Sequence, residues 1–226
     1  MITVHHLNNS RSQRVLWMLE ELGLPYEIKH YQRDAKTSLA PPELRQVHPL
    51  GKSPVITDGD ITVAESGAVL EYLVDRYGQG RFKPADPAPE DEGTRRYRFF
   101  MHFAEGSAMS PLLMKLVFSK ILKAPMPFFA KPIAKGIARK VLGGFVQPNI
   151  DSQLRFLEAE LSTRPWFAGS EFTAADVQMS FPIEAAAVRG GDMDAYPKLR
   201  DFLARIHARP AYKKALERGG PYSLMS

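Results

Sequence analysis
The hydrophobic periodicity of this chain changes once, near residue 80, and no other feature narrows the choice of fold as far. Before that point, runs with a period of two alternate with runs at helical spacing; beyond it only helical spacing remains. ITVHH at residues 2–6 is β-prone and gives way to Asn8, Asn9 and Ser10, polar turn residues. From Ser12, the residues Val15, Leu16, Leu19 and Leu22 recur along one helical stripe, which Gly23 and Pro25 stop in the usual order. Tyr26 to Tyr31 alternates as a half-buried strand, so a right-handed crossover makes the first two strands parallel. A short helix is expected at residues 42–47. Residues 54–57 and 61–64 are β runs around Asp58-Gly59-Asp60, a hairpin signal. Ser66 then caps a helix through Tyr77, with Val69, Leu70, Leu73 and Val74 as its apolar stripe.

The order βαβ then ββα predicts a thioredoxin-like domain over residues 1–80. Residues 81–93, with Pro84, Pro87 and Pro89 among acids, read as a linker. Residues 94–226 read as an all-helical bundle domain, with helices expected over 94–117, 145–161, 174–187 and 199–209. The fold class is therefore α/β followed by all-α. Between the first two of those helices, Pro125, Pro127 and Pro132 predict two short helices or an irregular excursion.

That excursion carries the charge. No acid lies between Glu105 and Asp151, whereas Lys115, Lys120, Lys123, Lys131, Lys135, Arg139 and Lys140 do, so the rest of the chain sums to −2 against a total of +5. A localised basic segment is not a general nucleic-acid footprint, and none is expected as a partner. A solvated basic face is the expected reading; a patch for anionic ligands or a membrane surface is the alternative. The chain has no cysteine, which excludes disulfides, thiolate metal sites and catalysis by a thiol of its own. The opening MITVHHLNNS lacks the pattern of a secretory signal, and no apolar run approaches the roughly 20 residues of a membrane span, so a cytoplasmic location is expected.

Four places invite chemistry. In HPLGKSPVI (48–56), Ser53 is held extended by Pro54, so its N–H and C=O can pair with a strand-like ligand. Glu65 and Ser66 stand at a helix start, where free N–H groups favour a carboxylate. Lys52 can take a second carboxylate. The loop from Asn8 to Arg14 brings hydroxyls and two arginines to another helix start; Ser12 is expected to cap that helix, leaving Ser10 for other work.

The pieces HHLNNSRSQRVLWMLEELGLPYE, HPLGKSPVI and AESGAVLEYL resemble the glutathione-binding domain of soluble glutathione S-transferases. The later WFAG (166–169) and FTAAD (172–176) are similar to that family's buried capping motif, in which Asp176 bonds back to the N–H groups near Thr173. The NNSR loop is most similar to a fungal and bacterial serine-type branch. The resemblance implies that Ser53, before a cis Pro54, pairs with the cysteinyl part of glutathione. It implies that Glu65 and Ser66 hold the γ-glutamyl end, Lys52 the glycyl carboxylate, and Ser10 the sulfur, with Asn9 and Arg11 as rivals for that last contact. Phe103, Ser107 and Met109 are candidates for the electrophile pocket, or equally for core, and Lys115 for favouring anionic co-substrates.

The expected activity is a detoxifying glutathione transferase that ionises the thiol of its co-substrate glutathione and adds it to a small hydrophobic electrophile, without metal or other cofactor. The family pattern implies a homodimer, with the α/β domain of one subunit against the helical domain of the other. A glutathione-dependent peroxidase, or a binding and assembly module on the same fold, are the alternatives.

Overall fold
The computed structural model describes residues 1–85, 88–190 and 192–222; Pro87 of the expected linker lies outside them. Strand β1 (Ile2–Leu7) leads into helix α1 (Ser12–Leu22) and strand β2 (Tyr26–Tyr31). A 3-10 turn at Pro42–Gln46 precedes β3 (Val55–Asp58), β4 (Ile61–Ala64) and α2 (Ser66–Tyr77). The sheet order is β2-β1-β3-β4: β1 runs parallel to β2, with Val4 opposite Ile28, and β3 is antiparallel to both of its neighbours. This is the mixed four-stranded sheet of a thioredoxin-like domain. The crossover rule gave its parallel pair, and Asp58 and Ile61 closing the hairpin gave its antiparallel edge.

Helices follow: α3 (Glu92–Phe103), α4 (Met109–Lys123), α5 (Lys131–Val141), α6 (Gln147–Thr163), α7 (Ala174–Arg189), α8 (Pro197–Ala208) and α9 (Pro210–Gly219). The single helix expected over 94–117 is two, joined without a break by a π-helical turn at Ala104–Ala108. A second such turn, Leu142–Val146, joins α5 to α6. The proline-rich excursion is thus a helical hairpin: Pro125 and Pro127 fall in the turn after α4, and Pro132 sits in the first turn of α5, where its missing N–H costs nothing. Helix α9 was not expected; Pro210 at its first position continues the chain in a new direction after α8.

One apolar core runs through both parts of the chain. Trp17 of α1 is fully buried, edge-on to Tyr212 of α9 at 5.0 Å and tilted against Phe172 at 5.6 Å. Full burial of a side chain of this size is worth roughly 3 kcal/mol or more, so the helical part clamps α1 firmly. Asp176 is fully buried; it accepts from Phe167 N at 2.9 Å, Thr173 N at 2.8 Å and Thr173 Oγ1 at 3.1 Å, which closes a capping box at the start of α7. Burial pushes this carboxyl up to about 6 against the pull of its three donors, so it is ionised at neutral pH. Glu184, also buried on α7, accepts from Tyr212 and Tyr222 and meets His207, which ties α8, α9 and the following segment to one helix.

Candidate functional site
The corner before β3 is built by Gly51, whose φ of 57° suits glycine; a Cβ there would come within 2.7 Å of Arg45 Cγ. The Ser53–Pro54 peptide is cis. Ser53 Oγ donates to the His5 carbonyl at 2.9 Å, pinning the corner to β1. Pairing with β4 starts only at Val55, opposite Ala64, so the main chain of Ser53 lies two residues beyond the β3–β4 ladder.

Directly across lies the β4–α2 junction. Glu65 is held at φ 74° and ψ 128°, a conformation that costs a non-glycine residue on the order of 1–3 kcal/mol and marks a constrained corner. Ser66 does not cap the helix, contrary to expectation. It is the first helical residue, and its Oγ instead accepts from Arg14 Nη2 at 3.1 Å and Gln178 Nε2 at 3.3 Å. Two donors on the oxygen turn the hydroxyl proton away from them. No side chain caps the α2 N-terminus among the described residues, and its dipole faces the same space.

The π-helical turn re-aims Glu105 from the helical part towards α1, where it bonds two arginines. Arg11 Nε reaches both carboxylate oxygens at 2.8 Å, and Arg14 Nη2 reaches Oε1. Arg14 is itself buried, its other amino group on the Gln178 carbonyl. Burial opposes ionisation of Glu105, but the two guanidinium groups outweigh it and hold the carboxyl below its ordinary range. A chain of contacts thus runs Glu105–Arg14–Ser66 from one part of the molecule into the other.

Behind this row, Ser12 does not cap α1 as expected. Ser10 Oγ accepts the Ser12 N–H at 3.2 Å and lies 2.7 Å from Ser12 Oγ, so Ser10 serves the helix start. Ser12 is turned fully inward, 2.9 Å from His6 Nδ1. Burial, and after it the neighbouring His30 ring, push His6 down to about 4 despite a bond to the Gly219 backbone, so the imidazole is neutral at pH 7. Ser12 Oγ also lies 3.4 Å from the Leu7 carbonyl, to which it can donate. Ser10 Oγ remains 3.5 Å from Ser53 Oγ.

A cleft of about 240 Å³ brings together Arg11, Lys52, Ser53, Pro54, Glu65 and Ser66, with His48 and Glu105 at its margin. Six of the eight residues expected to act on one ligand therefore share one wall. Ser10 lies beneath it, only 3% exposed, and Asn9 stands outside in a left-handed turn (φ 49°) whose carbonyl faces Arg33. The three residues expected of an electrophile pocket do not line this cleft. Phe103 stacks with Phe99 and packs against Phe156, the Ser107 carbonyl takes a bond from Gln153 of α6, and Met109 is core. The reason is the π-helical turn, which sends Glu105 towards α1 and those neighbours towards α6. Lys115 is occupied by Gln147 Oε1 at 2.6 Å and the Gly190 carbonyl at 3.1 Å. Sequence reasoning missed Glu105, His6 and Arg33; Arg33 braces the first loop, its N–H on Asn8 Oδ1 and its Nε on the Asn8 carbonyl. Among the described residues no cluster of metal-binding side chains is present.

Residues 1–75 match the family model described as Glutathione S-transferase, N-terminal domain, and residues 144–210 that described as Glutathione S-transferase, C-terminal domain. Among curated proteins the chain is 38% identical to glutathione S-transferase 3 of Schizosaccharomyces pombe, over 96% of this chain and 88% of that protein. It is 31% identical to glutathione S-transferase 1 of Saccharomyces cerevisiae, over 96% and 95%. A crystal structure of a glutathione S-transferase from Actinobacillus pleuropneumoniae superposes with a TM-score of 0.79 at 32% identity, covering 100% of this chain and 96% of that one.

Proposed function
The chain belongs to the glutathione S-transferase family and is a glutathione transferase, and we propose that the cleft between Ser53 and Ser66 holds glutathione while its thiol is ionised beside the first loop. The observation that carries this reading is the facing pair of Ser53 and Ser66 on one wall, the first with its main chain two residues beyond the ladder, the second with its hydroxyl held by two donors. Ser53 then pairs with the cysteinyl main chain as an added strand. The γ-glutamyl carboxylate takes the Ser66 hydroxyl and the α2 N-terminus, with Glu65 facing the ammonium group of the same end. Exposed Lys52 meets the glycyl carboxylate. The electrophile approaches from the helical part, and the exposed Ile61 on edge strand β4 and Phe99 on α3 support a homodimer pairing the two kinds of domain. The division at residues 80 and 94 belongs to the same reading.

Ser10 is our candidate for the sulfur. Bringing a thiol of pKa near 8.5 to half ionisation at pH 7 takes about 1.5 units, roughly 2 kcal/mol. One hydrogen bond to a charged group contributes about 1.5–3 kcal/mol, so one hydroxyl suffices. Its hydroxyl, 2.7 Å from Ser12 Oγ, must direct its proton to the sulfur, and Arg11, already in the cleft, adds positive charge beside it. Ser10→Ala should lower kcat/KM for glutathione and a chloronitroarene by roughly 10- to 100-fold and raise the apparent pKa of the pH–rate profile by about one unit or more. An unaltered profile would transfer the role to Arg11 or Asn9.

A further inference from the structure
The hairpin of α4 and α5 is unlike the rest of the surface. Of the thirteen large apolar side chains exposed among the described residues, six lie on it, too many for scattered exposure. Leu113 and Val117 sit one turn apart on α4, Ile133 and Ile137 one turn apart on α5, and Phe128 and Phe129 project from the turn between them, 88% and 67% exposed. The two phenylalanine rings touch only edge to face, 5.7 Å apart. Lys120, Lys123, Lys131, Lys135, Arg139 and Lys140 surround these residues, and among the described residues none of the six cations pairs with a carboxylate.

We infer that this tip docks onto an anionic phospholipid surface, with Phe128 and Phe129 entering the headgroup boundary and the lysines lying on the phosphates. Charge selects the occupant. A solvated basic face would not carry two aromatic rings at its apex, and a second copy would bring the same acid-free cationic patch against this one, which like-charge repulsion opposes. The projecting form suits insertion into a fluid surface, and the lysine stems can lie along apolar material while their ammonium groups stay at headgroup level. None of the described helices is long and apolar enough to cross a membrane, so the contact is peripheral. This goes beyond conjugation: it places the enzyme where lipophilic electrophiles concentrate.

The test uses the full chain and co-sedimentation with two kinds of vesicle, phosphatidylcholine alone and phosphatidylcholine with roughly a third phosphatidylserine. The expected result is partition onto the anionic vesicles only, falling roughly tenfold or more when salt rises from about 0.05 to 0.5 M. Phe128→Ser with Phe129→Ser should lower partition at least roughly tenfold, and Lys123→Glu with Lys131→Glu likewise, while conjugation of a soluble electrophile is unchanged. Equal binding to both vesicles, no binding, or undiminished binding by the double phenylalanine variant would overturn the assignment. So would loss of a solution dimer in that variant without lipid, which points to a second copy, or capture by polyglutamate with no vesicle binding, which points to an acidic protein.

Discussion
Glu105→Ala should destabilise the fold by about 3–5 kcal/mol, because it leaves the Arg14 guanidinium buried without a counter-charge. Arg14 is 2% exposed, and its remaining acceptors are the Ser66 hydroxyl and the Gln178 carbonyl, both neutral. Those two cannot balance a full charge taken out of water. Glu105→Gln preserves shape and one acceptor and should cost less, about 2 kcal/mol, the difference measuring charge rather than packing. Urea unfolding midpoints give the ranking; equal loss in both variants would mean that the carboxylate acts only by filling space. The same substitutions should weaken glutathione binding even at temperatures where the variants stay folded, since Arg14 holds Ser66 on the cleft wall. Acid should mimic the mutation. The folded-state carboxyl is held below its ordinary range, so its contribution is present above the unfolded pKa and is lost as pH falls through the lower folded value.

Glu105 also shows what was hidden in the sequence. The strands, α1, α2 and the wall residues Ser53, Glu65 and Ser66 could be read from local signals: alternation, a glycine-proline stop, a hairpin turn, a proline at a strand entry. Those signals act within a few residues, and the structure follows them in its strands and helices, though not in the cap expected of Ser66. Glu105 acts across 91 positions on Arg14, through a π-helical turn that no spacing of apolar residues announces. Gly106 beside it and Pro111 five residues on are the local hints of a weakened helix. The inward turn of Ser12 was hidden for a similar reason. Either hydroxyl can cap a helix, and only the position of His6 on β1 draws Ser12 inward. The missed α9 depends on tertiary packing too, its apolar face being matched to Trp17 rather than marked by a break in pattern.

His6 sets the second large effect, which is on pH. Its ring lies between Ser12 of α1, His30 of β2 and the Gly219 backbone at the end of α9, and it is 4% exposed. A Cβ on Gly219 would fall 2.6 Å from Gln13 Oε1 and 2.8 Å from Leu16 Cδ1, so α9 ends tightly against α1 and water is kept from the imidazole. The folded pKa of about 4 stands below the model-compound value of 6.5, so between those values the unfolded chain holds more protons than the folded one. The stability that His6 contributes is therefore complete above 6.5 and is lost as pH falls to about 4. That loss is about 3 kcal/mol at 1.36 kcal/mol per unit. Folding stability followed by denaturant titration from pH 7 to 4 should fall steeply in the native protein and by about 3 kcal/mol less in His6→Asn, whose amide can still meet Ser12. Parallel slopes would show that another group carries the acid sensitivity.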